Sequence, residues 1–336
     1  MAGAHYMTNK ASLLALLRES KSFISGQEIS DALGVSRTAI WKHIKALRDD
    51  GYEIEAAPGS GYRLVETPDV LSKAEILSRL HTDRIARELY YYDSTDSTNT
   101  RIRQMSETAP EGTLAVADKQ DFGRGRRGRA WDSPSGCGVY MSLLLKPDIA
   151  PSDASMITLV MALAVAGAVN DVTGLKAFIK WPNDIVVNGR KVCGILTEMD
   201  MESDYIRDII VGVGINVNQK DENDFQEEIR NTATSLKIEA GHTVNRSELT
   251  AQIMNRFEKY LYEFLRTCDL SGLKCEYEAL LVSMDTGVKV LDPAGEYTGV
   301  AKGINERGEL LVEMPDHSVR NVYAGEVSVR GIYGYV

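Results

Sequence analysis

The chain has 336 residues, 43% of them hydrophobic and 26% charged, and its formal net charge is −10 at pH 7. This length allows two or three domains, and the acidic balance excludes a protein that coats nucleic acid nonspecifically. The four cysteines lack metal-ligand spacing, and the longest apolar run, 156–169, is too short for a membrane span. We therefore expect a cytoplasmic protein with reduced thiols, in which residues 156–169 form a buried helix.

Residues 1–66 are predicted to form a winged helix-turn-helix domain. A helix covers 11–18, a capping box that begins at Ser25 opens a second helix, and Ser36 caps a third. A strand-like stretch, the turn at 58–61 and a returning strand follow. Two helices, a basic third helix and a hairpin are the order of elements in this type of domain.

The third helix is predicted to enter the major groove of DNA. Residues 36–48 contain four Lys or Arg residues and no acid, and the apolar residues fall on the opposite face. The alternative is a protein-docking domain with an incidentally basic helix. The predicted DNA-contacting residues are Ser36, Arg37, Thr38, Trp41, Lys42 and Lys45. Because one module reads only one half-site, we expect a homodimer on a two-fold DNA site.

Residues 67–82 are predicted to link this domain to a larger one over 83–283. A second capping box, which begins at Ser72, opens a linker helix that reaches about residue 81. The short polar side chains of 96–99 suit either of two roles. They cap the next helix, or they hydrogen-bond a polar ligand.

Residues 123–129, with the sequence GRGRRGR, are named the arginine loop here; they connect two predicted core strands, 112–118 and 140–145. Glycines let the backbone wrap closely around a ligand and arginines supply forked cationic donors, so the loop predicts an anion-binding lid. The spacing also fits the dinucleotide fingerprint, but no helix follows, and we reject a Rossmann site. A solvated basic surface loop is the alternative.

A hairpin is predicted at Asn188-Gly189, which separates two apolar runs. Lys191 then lies early in the returning strand, where it could neutralise a carboxylate that meets a phosphate, together with Lys180 and the arginine loop. For Lys191 alone, a solvated hairpin lysine is the alternative. Asn216, at the end of a later strand, could contact an adenine edge or merely end the strand.

The last part of the chain is predicted to be helical and then all β. An amphipathic helix begins near 245–248 and runs to about 266, and a short helix covers 273–281. Short strands separated by turn sequences then predict a small β-barrel over 284–336. The predicted strands are 288–291, 297–304, 310–313, 319–323 and 327–330.

Five short motifs follow one another through the larger domain. They are Asp96-Ser97-Thr98-Asn99, the arginine loop with Trp131, Lys180-Trp181-Pro182-Asn183-Asp184, Gly189-Arg190-Lys191 with Gly194-Ile195-Leu196, and Gly214-Ile215-Asn216. Together with the third helix and the wing turn, they make nearly the whole chain resemble the bacterial biotin protein ligases of the bifunctional kind, which are also biotin operon repressors.

The resemblance implies an α+β multidomain protein with a class II synthetase-like catalytic domain and an SH3-like barrel. It implies that biotin and ATP, with Mg²⁺, give biotinyl-5′-AMP, and that biotin then passes to a lysine of a biotin carboxyl carrier protein. Biotinyl-AMP is the implied corepressor at operator DNA. No residues are assigned to Mg²⁺.

The resemblance also assigns site residues. Lys191 and Arg126 are the implied catalytic residues. The implied biotin contacts are Ser97, Thr98, Gln120, Arg126, Lys191 and Gly194. The implied nucleotide and lid residues are Arg124, Arg127, Arg129, Trp131, Lys180, Asn183, Asp184, Asn216 and Lys302.

Two other functions remain open. A ligand-sensing transcription factor without catalysis would keep the winged helix but would leave the arginine loop and Lys191 unexplained. A lipoate-type ligase of related fold ranks lower because its Arg-Arg-x-Gly-Gly-Gly pattern is missing.

Overall fold

A computed structural model describes residues 9–20, 22–292, 295–323, 328–331 and 335–336. The N-terminal part is the predicted winged helix-turn-helix. Its elements are α1 (Asn9–Glu19), α2 (Gly26–Leu33), α3 (Arg37–Asp49), β1 (Glu53–Ala57) and β2 (Gly61–Glu66), the two strands pairing as an antiparallel hairpin.

Local capping chemistry explains where these helices begin and end. The Ser25 side chain accepts from the backbone N–H of Glu28, whose carboxylate accepts from Ser25 N–H, so the predicted capping box is complete. Gly34 ends α2 with φ of 63°, a left-handed conformation that glycine adopts without strain. The Ser36 side chain accepts from Ala39 N–H and opens α3, as predicted.

The linker helix α4 (Lys73–Leu77) is shorter than predicted, and only half of its capping box forms. The Ser72 side chain accepts from Glu75 N–H, but the Ser72 N–H donates to Ser247. The carboxylate of Glu75 is instead fully buried and accepts from the Tyr52 hydroxyl at 2.6 Å. The predicted box would also have had the Glu75 carboxylate accept from Ser72 N–H, and this half was wrong because long-range partners outcompete the local one.

The central part is built on a seven-stranded sheet with strand order β3-β4-β5-β9-β8-β7-β6, antiparallel except for the β3/β4 pair. Its elements are β3 (Leu89–Tyr92), α5 (Thr98–Met105), β4 (Leu114–Ala117), β5 (Gly138–Leu145), α6 (Ala154–Thr173), β6 (Ala177–Lys180), β7 (Asp184–Val187), β8 (Arg190–Glu202), β9 (Tyr205–Asn216), α7 (Leu236–Ala240), α8 (Arg246–Thr267) and α9 (Lys274–Ala279).

Helices cover both faces of this sheet. Alternate residues of a strand point to opposite faces, and Leu143 and Leu144 of β5 accordingly belong to two different apolar clusters. Leu144 packs with Ile102 of α5, whereas Leu143 lies in the large cluster that includes α6 and α8. Among the described residues, only 151–173 form a helix long and apolar enough to cross a membrane, and 78% of its apolar window is buried in the protein. The predicted buried helix is thus confirmed.

The C-terminal part is a five-stranded antiparallel sheet with strand order β13-β12-β11-β10-β14. Its strands are β10 (Gly287–Asp292), β11 (Gly295–Ile304), β12 (Leu310–Glu313), β13 (Val319–Val322) and β14 (Ser328–Gly331). All five predicted strands are present, although residue 327, the predicted start of the last one, lies outside the described residues. The indole N–H of Trp181 donates to the carbonyl of Gly308 at 3.0 Å and ties this sheet to the central part.

Candidate active site and DNA-binding helix

A cleft lies under the arginine loop, where β5, β8 and β9 meet. The cleft brings together most of the residues that the sequence pointed to. Those lining it are Ser97, Thr98, Gln120, Arg124, Arg126, Trp131, Asn183, Lys191 and Gly194.

One wall of the cleft is a network of short polar side chains. Gln120 Oε1 accepts from the backbone N–H of Thr98 at 2.8 Å and from its hydroxyl at 3.1 Å. Ser142, which the sequence did not single out, donates to Asn99 Oδ1 at 2.5 Å. Ser97 sits at the N-cap of α5 but makes no side-chain cap bond, so the capping interpretation is wrong for it. These groups hold one another in place and present fixed donors and acceptors to a ligand.

Glycines form the floor of the cleft because larger residues would collide with Trp131. Gly194 on β8 and Gly214 on β9 are partners in the sheet. A Cβ on Gly194 would lie 3.0 Å from Trp131 Cζ3, and one on Gly214 would lie 2.6 Å from its Nε1. That Nε1 atom is buried and has no hydrogen-bond partner among the described residues. An unpaired indole N–H at such a place fits a site that takes a polar ligand.

The hairpin at Asn188-Gly189 aims Lys191 at the cleft. Both turn residues have positive φ, 49° and 77°, as a two-residue hairpin with the favoured twist requires. Lys191 Nζ lies 2.6 Å from Asp184 Oδ1 and 5.3 Å from the centroid of the Trp131 ring. The alternative of a freely solvated lysine is therefore wrong.

Arg126 contacts the corner of chain at residues 182–184, where β6 turns into β7. Its Nη1 donates to Asn183 Oδ1 at 2.8 Å, next to the Asp184 that pairs with Lys191. Burial lowers the pKa of Arg126, Asp184 opposes this shift, and Arg127 adds to it. The corner thus holds two cations at neighbouring acceptors, the arrangement that a reaction between two anions requires.

The arginine loop joins β4 and β5, which are antiparallel neighbours, so rejection of the Rossmann interpretation is confirmed. Arg124 lies 3.5 Å from Glu198, and Arg127, with a positive φ of 57°, lines a larger cavity next to the cleft. Arg129 is exposed. The loop therefore carries its arginines in several directions.

Outside the arginine loop, the predicted nucleotide residues that do not line the cleft are Asp184, which pairs with Lys191, and three others. Asn216 ends β9, where its buried side chain donates to the carbonyl of Thr234 at 3.2 Å. Lys302 on β11 pairs with Asp285 at 2.9 Å. Lys180 lies beneath the ring of Tyr335, with its Nζ 3.2 Å from the ring centroid.

Asp118, at the end of β4, anchors the chain on both sides of the arginine loop. It accepts from Ser135 and, at 2.7 Å, from Arg246 Nη1. Arg246 Nε also pairs with Asp69 of the linker at 2.8 Å. Burial raises the pKa of Asp118, but the bonds from Ser135 and Arg246 outweigh it, so the pKa is lowered overall.

The described residues contain no group of three or more His, Cys, Asp or Glu side chains that could hold a metal ion. Asp184 is the carboxylate that pairs with Lys191, and its oxygens accept from Lys191 and Tyr335. Because both oxygens are already engaged, this single carboxylate is not a preformed metal site, and Mg²⁺ that arrives on nucleotide phosphates would be held chiefly by those phosphates.

Helix α3 presents the predicted DNA-contacting face to solvent. Ile40, Ile44 and Leu47 are buried against the domain core. The opposite face is exposed, with the Lys45 ammonium 5.8 Å from the centroid of the Trp41 ring and Trp41 itself 55% exposed. The exposed predicted residues are Ser36, Arg37, Thr38, Trp41, Lys42 and Lys45.

Comparison with known families matches each part of this architecture. Residues 91–216 match the Biotin/lipoate A/B protein ligase family, residues 9–63 match an HTH domain, and residues 286–330 match the Biotin protein ligase C terminal domain. The fold and the site therefore define a protein ligase with a helix-turn-helix domain attached.

Similarity to individual proteins identifies the kind of protein ligase more closely. The chain is 42% identical to the Bifunctional ligase/repressor BirA of Bacillus subtilis, over 96% of this chain and 99% of that protein. It is 32% identical to BirA of Escherichia coli, over 95% and 96%. The biotin protein ligase of Aquifex aeolicus, solved in complex with biotin and ATP, has 32% identity and a TM-score of 0.63 over 73% of this chain and 99% of that one. The chain belongs to the family of bifunctional biotin ligase/repressors.

Proposed function

We propose that this ligase/repressor activates biotin with ATP in the cleft under the arginine loop. The observation that carries the proposal is the convergence of Lys191 and Arg126 on one corner, through Asp184 at 2.6 Å and Asn183 at 2.8 Å, above the Gly194 floor. A biotin carboxylate oxygen attacks the α-phosphorus of ATP, the bond to pyrophosphate breaks, and biotinyl-5′-AMP forms. Both reactants are anions, so fixed cations lower the barrier more than a nucleophile would.

The second step needs no covalent enzyme intermediate because the mixed anhydride is already an activated acyl group. The amine of a carrier lysine attacks the acyl carbon and AMP leaves. The enzyme's task between the steps is to exclude water, and the arginine loop over the cleft is suited to that task. Mg²⁺ carried on the nucleotide phosphates would supply further charge neutralisation.

The polar wall is the proposed binding site for the biotin ring. Ser97, Thr98 and Gln120 supply buried or half-buried hydrogen-bonding groups, and Thr98 and Gln120 are already oriented by their mutual bonds. A ring with both donors and acceptors is recognised by such fixed groups, whereas a purely apolar ring would leave them unpaired. The substrate this wall favours is therefore the polar ureido ring of biotin over the apolar ring of lipoate.

We further propose that biotinyl-AMP is the corepressor. Because one α3 helix reads only one half-site, operator binding requires a homodimer, and a ligand that orders surface loops can favour that dimer. Consumption of the adenylate by the carrier, a biotin carboxyl carrier protein, would then relieve repression. Such a role places the protein in the cytoplasm, with the operator and the carrier.

Pyrophosphate release from ATP tests the ligase half. Wild-type protein is incubated with ATP and Mg²⁺ in three separate reactions, to which biotin, lipoate or neither acid is added. We expect release only with biotin, followed by transfer to a carrier domain but not to its variant with arginine at the acceptor lysine. Release that depends on lipoate would support the lipoate-type alternative. Biotin binding without any release would support a sensor that does not catalyse.

A further inference from the structure

Tyr335 reaches the active-site corner from the far end of the chain. Its hydroxyl donates to Asp184 Oδ2 at 2.6 Å, across 151 positions of sequence. Its ring lies over Lys180, with the Nζ 3.2 Å from the ring centroid. The next residue, Val336, lies 3.4 Å from where a Cβ on Gly189 would be, so residues 335 and 336 pack along the hairpin that carries Lys191.

Tyr335 contacts the two residues that face each other across the turn between β6 and β7. Lys180 and Asp184 are cross-strand partners, and Tyr335 touches both. The two oxygens of Asp184 accept hydrogen bonds from different partners. Oδ1 accepts from Lys191 at 2.6 Å and from Asn183 Nδ2 at 3.1 Å, while Oδ2 accepts from Tyr335.

The bond to Oδ2 fixes the orientation of the carboxylate. The terminal torsion of an aspartate is broad, so a carboxylate anchored through one oxygen leaves the direction of that oxygen poorly defined. Lys191 has a flexible four-carbon stem and takes its direction from its partner. Catalytic groups must be held to within about 0.5 Å of the productive geometry, which single-anchored Asp184 would not ensure.

We propose that Tyr335 is a positioning residue for adenylation, which acts through Asp184 on Lys191. This role rests on the proposed ligase function, and we do not expect Tyr335 itself to touch substrate. Its bond and ring contact keep Asp184 aimed at Lys191, and Lys191 aimed at the place where the biotin carboxylate meets the α-phosphate. The phenol thus contributes to the rate of the chemical step and not to the capture of biotin.

The first test separates rate from binding. Tyr335→Phe removes the hydroxyl and keeps the ring over Lys180. We expect single-turnover adenylation about tenfold slower, the effect of losing one hydrogen bond to a charged group, with biotin affinity unchanged. Tyr205→Phe is the matched control, since Tyr205 is exposed at the other end of β8 and β9, beside Glu202. Wild-type rates in Tyr335→Phe would overturn the inference.

The second test needs no catalysis. An amine-selective reagent is added without substrates, and peptide mass spectrometry gives labelling of Lys191 relative to Lys289 of β10 in the same sample. We expect labelling about threefold faster in Tyr335→Phe than in wild type, because the Lys191–Asp184 pair loosens. An unchanged ratio would count against the inference. If wild-type protein forms no adenylate, the proposed function fails, and labelling still decides whether Tyr335 positions Lys191.

Discussion

Replacing Lys191 by alanine should slow biotinyl-AMP formation about 100 to 1,000-fold. Lys191 Nζ is held by Asp184 at 2.6 Å and lies 3.1 Å from where a Cβ on Gly194 would be, so its charge sits at the cleft floor before substrate binds. Loss of one such preorganised contact costs about 3 to 4 kcal/mol of transition-state stabilisation.

The same substitution should leave the fold intact. The Lys191 side chain is 26% exposed, which limits the strength of its ion pair. After the substitution Asp184 still accepts from Asn183 and Tyr335. We therefore expect the free energy of unfolding to fall by about 1 kcal/mol or less.

The assay is single-turnover formation of adenylate with enzyme in excess over labelled ATP. Lys289→Ala, which removes an exposed lysine paired with Glu296 on the C-terminal sheet, is the control and should match wild type. A rate for Lys191→Ala within about threefold of wild type, with the fold intact, would refute a catalytic role for this lysine.

Hydrogen exchange across 123–130 should slow when biotin and ATP are added, because the arginines of the loop bind an anion. Equal exchange rates with and without these ligands would contradict the proposal that the loop is a lid. Arg37→Ala combined with Lys42→Ala should abolish operator binding in a gel-shift assay while adenylation stays at the wild-type rate. Asp118→Asn should lower the free energy of unfolding at pH 7. The pKa of Asp118 is lowered by its hydrogen bonds and Arg246 despite burial, so its stabilisation is complete above about pH 4 and is lost as pH falls further. The difference in free energy of unfolding between Asp118→Asn and wild type should therefore be smaller at a pH well below about 4 than at pH 7. Urea unfolding at the two pH values measures it, and an unchanged difference would contradict the ion-pair explanation.

Features that depend on neighbouring residues were predictable from sequence. The Ser25 capping box, the Ser36 cap and the Asn188-Gly189 turn form as predicted because each is decided by backbone geometry within a few residues. The arginine loop was recognisable for the same reason, since its composition alone specifies both backbone freedom and charge.

Features that depend on distant residues were not predictable in this way. Glu75 has the sequence position of a capping residue, yet its carboxylate is fully buried with Tyr52, and no local pattern announces that partner. Tyr335 meets Asp184 across 151 residues of chain, and nothing around position 335 suggests an active-site contact. Asn216 was ambiguous because an asparagine suits both a strand end and a base contact, and only the bond to Thr234 shows its partner in this structure.

Two buried charge clusters connect the parts of the molecule that the proposed regulation must link. Glu75 joins the linker helix to the winged helix domain through Arg18 at 2.8 Å and Tyr52 at 2.6 Å. Arg246 joins Asp69 of the linker to Asp118, next to the arginine loop, through bonds of 2.8 and 2.7 Å. Removing one partner from such a buried cluster is costly, so each cluster holds together the segments that it joins. A ligand that orders the arginine loop therefore acts on a segment already tied to the linker, and a coupling of about 1 to 3 kcal/mol along these joints would suffice to make DNA binding respond to biotinyl-AMP.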